Sequence, residues 1–433
     1  MRIAIEAFSL SSEQLTGVGN VTLNYLRELK KIDRDNRYYI YTIDELRHVS
    51  LSKGRWVHVR YDPWIKRKKY AVAASWERFK EAREKKAVAI LAMISLRLLK
   101  MAFEIADTIY LHAWMAASLR KNKIDAYLGI FADFFPFIFF PRLRKIWLVH
   151  DIVWKLYPKT TKKKSLLGGL LIVRNMKKAD LLISVSESTK KGIREFLGIA
   201  TDIVTLHNAA DRSLFFPADS ASVSRVKRKF GIKQKYLLSV CTLEPRKNLG
   251  ALLRAYEEMT GRERYQLVLT GMSGWKNTGL FDRLERHPGR ENIIITGYIP
   301  DKDLAPLYTG AELFVYPALY EGFGLPVLEA MQCGCPVVSS NTSSIPEVAG
   351  DAAVLVDPSD IGALAQAMET VLSDRRLRRA MVKKGLARAE LFSWERSARR
   401  LLALFEPAGN NQASVSRTPG DSGPAHCSEI VLR

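Results

Sequence analysis

Short apolar runs recur along the chain. Between them lie polar turns and segments with apolar residues at helical spacing. Such runs read as strands, and the segments between them as amphipathic helices. In the first half the predicted strands are Arg2–Phe8, Tyr38–Thr42, Trp56–Arg60, Asp125–Gly129, Ile146–His150, Leu181–Val185 and Thr201–Leu206. The second half supplies Tyr236–Val240, Gln266–Thr270, Ile293–Ile295, Leu313–Tyr316, Pro336–Ser339 and Ala353–Val356. Strands that alternate with helices build parallel sheets with helices on their faces. The pattern predicts an α/β protein with two doubly wound, Rossmann-like sheets.

Several stretches depart from that rhythm. Thr16–Asn20 (TGVGN) predicts a glycine-rich turn ahead of an amphipathic helix over Val21–Lys30. Residues from about 62 to 122 are helical in composition and basic. From Arg55 to Glu104 there are 13 Lys and Arg against five acids. Ala87–Leu96 is apolar apart from Ser95, but Arg97 and Lys100 follow at once. A membrane-spanning helix needs about 20 apolar residues, so a crossing is rejected. Two readings stay open: helices packed on the first domain, or a helix lying in a membrane interface. Phe131–Pro141 is unusually aromatic, and the composition turns polar and charged from Asp211 to about Lys235. These features predict a first domain over 1–215 with a basic insertion at about 62–122. A second domain is expected over 235–392, a C-terminal helix over 393–407, and a disordered tail over 408–433.

Composition narrows the classes. The chain has 433 residues, 47% of them apolar, enough for two cores. MRIAIEAF lacks the apolar core of a secretory signal, so the start is expected to be a strand of a cytoplasmic domain. The four cysteines, Cys241, Cys333, Cys335 and Cys427, show no paired metal-ligand spacing. The net charge of +22 favours an anionic partner. Nucleic acid, an anionic membrane surface and phosphorylated substrates all satisfy it.

Ligands bind open α/β sheets at the carboxyl ends of strands, near helix N-termini. After the Tyr236 strand comes Glu244-Pro245-Arg246-Lys247-Asn248, two adjacent cations ahead of a helix. That arrangement suits a diphosphate. After the Leu313 strand comes Glu321-Gly322-Phe323-Gly324-Leu325-Pro326, opening a helix that continues through Glu329. Its glycines let backbone amides approach a ligand. Carboxylates at this spacing can grip two separate polyols, such as a sugar and a ribose.

These residues resemble glycosyltransferase family 4, whose fold is GT-B. Its two Rossmann-like domains face each other across a cleft, and a C-terminal helix returns to the first. The match includes Glu321…Glu329, Glu244–Asn248, the Gly17/Gly19 turn and His150-Asp151. It extends through Thr296–Pro300 and Ile345–Ala353. It is nearest to the bacterial branch that transfers mannose or similar hexoses in polysaccharide and lipopolysaccharide assembly. The resemblance implies that Arg246 and Lys247 bind the diphosphate of a nucleotide sugar. It places Glu329 on the ribose and Glu321 on the donor sugar. Backbone amides of Phe323, Gly324 and Leu325 would reach sugar hydroxyls and phosphate. Gly17 and Gly19 would let a helix start approach the diphosphate, His150 would lie near sugar and acceptor, and Tyr298 would flank the base. Cys241 departs from the branch, where glycine is common, so the chain is expected to lean on Arg246 and Lys247.

The implied reaction is hexosyl transfer with retention, from a nucleotide diphosphate sugar to a saccharide or lipid-linked saccharide, without a cofactor. GDP-mannose leads as donor; UDP- and dTDP-hexoses stay open. No metal is expected: Asp33-Arg34-Asp35 spells a metal motif but reads as a solvated turn. A nucleotide-sugar epimerase of the same fold and a basic nucleic-acid-binding protein are the alternatives. The paired motifs argue against the first, and the lack of any nucleic-acid module argues against the second. The basic runs at 66–69 (KRKK) and 159–164 (KTTKKK) instead suggest peripheral contact with an anionic membrane on its cytoplasmic side.

Overall fold

The structure is a computed structural model. It describes residues 1–12, 14–49, 51, 54–61, 87–130, 142–158, 166–272, 274 and 278–406. The basic runs at 66–69 and 159–164, the aromatic stretch at 131–141 and the tail at 408–433 therefore lie outside the described residues.

Each run read as a strand forms one, with ends shifted by a few residues. The first sheet comprises β1 (Arg2–Glu6), β2 (Arg37–Thr42), β3 (Trp56–Arg60), β4 (Ala126–Gly129), β5 (Arg144–Val149), β6 (Leu181–Ser184) and β7 (Ile203–Thr205). Its order is β3-β2-β1-β4-β5-β6-β7. The second comprises β8 (Lys235–Val240), β9 (Tyr265–Thr270), β10 (Ile293–Gly297), β11 (Leu313–Tyr316), β12 (Val337–Ser340) and β13 (Val354–Val356), in the order β10-β9-β8-β11-β12-β13. All of its pairings are parallel. The central strands β1, β4, β8 and β11 are buried along nearly their whole length, as parallel strands covered by helices on both faces must be.

By compactness the chain divides into Met1–Leu148 with Arg174–Leu182, and Val149–Val173 with Ile183–Arg433. In each sheet the strand order reverses once: between β1 and β4, and between β8 and β11. A crevice opens at such a point because the connections on either side leave toward opposite faces.

Two local expectations change. The segment Thr16–Asn20 is not a separate turn. The helix begins at Gly17 and runs to Ile32, with Thr16 in extended conformation ahead of it. Asp33 is not solvated either. It is buried and accepts from the amides of Asp35 (2.9 Å) and Asn36 (3.2 Å) and from the Tyr38 hydroxyl, so it organises the turn into β2. Within the basic insertion, Ala87–Lys121 is one continuous helix of 35 residues. Leu98, Met101, Ile105 and Ile109 recur on it every three or four residues, and all are exposed. No helix of the described residues is long and apolar enough to cross a membrane.

Entry into the second sheet is fixed by charge. The helix Ser220–Lys229 precedes β8, and its Arg225 and Lys229 reach the fully buried carboxylate of Asp303 at 3.1 and 2.5 Å. Asp303 lies in the first turn of the helix Asp301–Thr309, where a negative charge also suits the helix dipole. Burial opposes its ionisation, but the two cations prevail and hold its pKa below the ordinary value. Replacing Asp303 with Ala is expected to cost about 1–3 kcal/mol, measured by urea denaturation. An unchanged unfolding midpoint contradicts this.

Candidate functional site

At the switch point of the second sheet the chain leaves β8 through Cys241 and enters a single 3-10 turn, Pro245–Lys247. Pro245 suits the start of that turn because its nitrogen carries no hydrogen to satisfy. Asn248 follows at φ 56°, a left-handed conformation that asparagine tolerates better than most residues. It redirects the chain into the helix Leu249–Glu258, and its side-chain amide donates to the Pro358 carbonyl at 2.7 Å. The effect is to fold Arg246 and Lys247 back toward the neighbouring strand, β11.

β11 ends at Tyr316, and the loop after it carries Glu321. One oxygen of that carboxylate, Oε1, accepts from Lys247 Nζ at 2.5 Å, the Tyr316 hydroxyl at 2.9 Å and Arg246 Nη1 at 3.0 Å. Arg246 also donates to Glu244 at 2.7 Å and to the Tyr320 carbonyl at 2.8 Å. Glu321 and Lys247 are buried. Burial alone would keep the Glu321 carboxyl protonated, but the charges of Arg246 and Lys247 outweigh it and hold the pKa at about 2. Desolvation also works against the Arg246 charge, and Glu321 and Glu244 more than restore it. The cluster is thus two cations neutralised by two carboxylates. Glu321 Oε2 has no hydrogen-bond partner among the described residues.

The loop backbone is equally constrained. Glu321 N donates to Ser343 Oγ at 2.9 Å, and Ser344 Oγ donates to the carbonyls of Glu321 (3.0 Å) and Phe323 (2.8 Å). The Gly322 carbonyl accepts from Ser186 Oγ at 2.6 Å and Thr189 Oγ1 at 3.0 Å. A Cβ at residue 322 would lie 1.9 Å from the His150 carbonyl oxygen, so only glycine fits. Gly324 has φ 106° and starts the helix Leu325–Gln332. The amides of Gly322, Phe323, Gly324 and Leu325 have no protein partner among the described residues. Carbonyls tied inward and amides left over at a helix N-terminus make an anion- and hydroxyl-binding edge.

The other expected residues are distributed around this cluster or away from it. His150 adjoins Gly322. Its Nε2 is covered and has no partner among the described residues, and burial pulls its pKa down to about 4, so the ring is neutral at ordinary pH. Glu329 lies one helical turn beyond Leu325 and outside the cation cluster, accepting from Tyr308 OH at 3.0 Å. Burial pushes its pKa up to about 7, and the bond from Tyr308 only partly offsets it. Tyr298 is exposed at the carboxyl end of β10. Gly17 and Gly19 head their helix in the other compact unit. Cys241 is buried, and burial raises its thiol pKa to about 12, which makes it inert. Sequence reasoning missed Tyr316, Ser343, Ser344, Ser186 and Thr189 as parts of this site. A tyrosine ending a strand, or a serine pair, carries no periodic signal. Only the pairing of β11 with β8 and β12 brings Tyr316, Ser343 and Ser344 beside Arg246 and Lys247, while Ser186 and Thr189 reach the loop from the helix start after β6, through the Gly322 carbonyl.

Residues 222–388 match the sequence model of the family glycosyl transferases group 1, so the chain carries a domain of that family. The chain is similar to O-antigen chain mannosyltransferase B of Escherichia coli, 39% identical over 231 residues, which is 53% of this chain and 61% of that protein. It spans less than two thirds of the length of the first curated relatives it matches. Its fold is similar to that of sucrose-phosphate synthase from Thermosynechococcus elongatus, with TM-score 0.66 and 18% identity over 93% of this chain and 98% of that one. It is also similar to Anabaena HepE in complex with UDP and glucose, with TM-score 0.65 and 16% identity over 93% of this chain and 98% of that one. At such identities the likeness establishes the fold: GT-B, with two Rossmann-like sheets.

The raised pKa of Glu329 has a sign that can be measured. Between the ordinary carboxyl value and about 7 the folded protein binds the proton more tightly than the unfolded chain. Stability of the unliganded protein should therefore fall as pH rises through that window, by up to about 3 kcal/mol. Glu329→Gln should flatten this slope in denaturant titrations from pH 5 to 8. An identical slope in the variant contradicts it.

Proposed function

We propose that the protein is a retaining, metal-independent hexosyltransferase. It moves mannose from GDP-mannose to a saccharide or lipid-linked saccharide in cell-surface polysaccharide assembly. The observation that carries this reading is the Arg246–Lys247–Glu321 cluster beside the amides of Gly322–Leu325, which have no partner among the described residues, at the switch point of the second sheet. The choice of sugar is supported by similarity to an O-antigen chain mannosyltransferase. A nucleotide sugar as donor is supported by a fold neighbour that was solved with UDP and glucose.

Arg246 and Lys247 take the diphosphate, assisted by the amides of Phe323, Gly324 and Leu325. Glu329 accepts from the ribose hydroxyls, and Tyr298 flanks the base. His150 lies near the sugar and acceptor. The bond between the anomeric carbon and the diphosphate oxygen breaks. The acceptor oxygen bonds to the anomeric carbon on the same face, and its proton passes to the departing phosphate. Glu321 stabilises the positive sugar through Oε2 without bonding to it covalently. The two cations and the helix N-terminus carry the charge that develops on the leaving group, where other transferases use a metal.

The acceptor side belongs to the domain expected over 1–215, and donor binding to 235–392. Peripheral contact with an anionic leaflet is supported by the exposed apolar stripe Leu98, Met101, Ile105 and Ile109 and by the net charge of +22.

A charge-assisted hydrogen bond contributes roughly 1.5–3 kcal/mol, or about one to two powers of ten in rate. Lys247→Ala is therefore expected to lower turnover of GDP-mannose about a hundredfold, followed by release of GDP. Near wild-type turnover refutes the role of Lys247. In a thermal-shift screen GDP-mannose should raise the unfolding temperature more than UDP- or dTDP-hexoses do. A larger shift with one of those would reassign the donor.

A further inference from the structure

We propose that Glu347 is a positioning residue for the donor loop, acting through the helix Glu187–Leu197 without touching the donor. The inference rests on the reading that the loop Glu321–Leu325 binds the nucleotide sugar.

Both oxygens of Glu347 are used. Oε1 accepts from the Glu187 amide at 2.8 Å and from His207 Nε2 at 2.7 Å, and Oε2 accepts from the Ser188 amide at 3.1 Å. These are the first amides of the helix Glu187–Leu197, which have no partner within the helix itself. Ser186 caps the same end by accepting from Thr189 N at 3.0 Å. A carboxylate there also meets the positive end of the helix dipole. Burial disfavours the charge on Glu347, yet the bonds from His207 and the two amides keep its pKa below the ordinary value.

What makes this more than a helix cap is where the two partners lead. The capped helix carries Ser186 and Thr189, whose hydroxyls both hold the Gly322 carbonyl. Glu347 itself stands in the short helix Ile345–Ala349, directly after Ser343 and Ser344, which hold the backbone of Glu321 and Phe323. The loop is thus gripped from two sides, and Glu347 joins the two grips into a closed ring of hydrogen bonds. Arg388 fastens the Glu347 corner by donating to the carbonyls of Glu347 (2.6 Å) and Val348 (3.0 Å). With the carbonyls of Glu321, Gly322 and Phe323 fixed, the direction of the amides of Gly322, Phe323 and Gly324, which share their peptide planes, is fixed as well. Loosening the ring should misdirect those amides and weaken donor binding before it affects the reacting groups.

Glu347→Gln keeps one acceptor but turns a donor toward the Ser188 amide. The expected result is a rise of about tenfold in the Kd for GDP by calorimetry and in the KM for GDP-mannose hydrolysis. kcat should change less than threefold. The double variant Ser186→Ala/Thr189→Val, which cuts the other side of the ring, should give the same split. Asp374→Ala removes a helix cap elsewhere, on the Arg376 and Leu377 amides, and should lower stability with no change in GDP affinity. Folded variants whose GDP Kd equals the wild-type value overturn the proposal. So does a GDP affinity that falls only in proportion to lost stability, as it would also do in Asp374→Ala. Absence of GDP, UDP and dTDP binding in the wild-type protein would instead remove the donor reading, and this inference with it.

Discussion

One buried carboxylate oxygen, Glu321 Oε1, receives a lysine, an arginine and a tyrosine at once. An unpaired charge in such a place would be untenable, and a lone carboxyl would simply hold its proton. The two cations reverse that outcome and keep Glu321 ionised far below neutral pH. In turn Glu321 keeps two cations side by side where they would otherwise repel. Each partner makes the other's charge sustainable, and together they hold positive charge ready at one point of the fold. On the proposed reading, an incoming diphosphate takes over part of the role that Glu321 and Glu244 play in the unliganded protein.

The cluster exists because of topology. Arg246 and Lys247 leave β8, and Glu321 follows β11. These strands are far apart in the chain but adjacent in the sheet, at the place where its order reverses. The loop after β11 completes the arrangement. Four hydroxyls from two segments (Ser186 and Thr189, and the adjacent Ser343 and Ser344) consume its inward-facing backbone groups. Glu329, one turn further on, illustrates the contrast that environment makes. It has the same side chain in similarly tight surroundings, but with a tyrosine hydroxyl as its partner in place of cations, and its pKa moves up instead of down.

Much of this was legible in the sequence. The alternation of apolar runs and helical segments located every strand of both sheets, because fully buried parallel strands leave a strong local signal. EPRKN and EGFGLPVLE marked the two loops that meet, since loop residues at strand ends are where chemistry sits in this class of fold. The pairing within the site was not legible. Lys247 and Glu321 are 74 residues apart, and nothing in either motif says that the glutamate neutralises the lysine. The ionisation of Glu321 and Glu329 depends on their neighbours in space, so their spacing alone made them look equivalent. The start of the first long helix at Gly17 was also missed, because glycine argues locally for a turn while packing of Val21, Tyr25 and Leu29 decides for helix.

The central claim is that Arg246 and Lys247 receive a diphosphate. Calorimetric titration of the wild-type protein and of Lys247→Ala with GDP and with GMP tests it most directly, since the two ligands differ only in the phosphate those cations would hold. The account predicts that GDP binds the wild-type protein at least about tenfold more tightly than GMP, and that most of this difference disappears in the variant. Equal affinities for GDP and GMP in the wild type, or a difference that survives intact in Lys247→Ala, would contradict it.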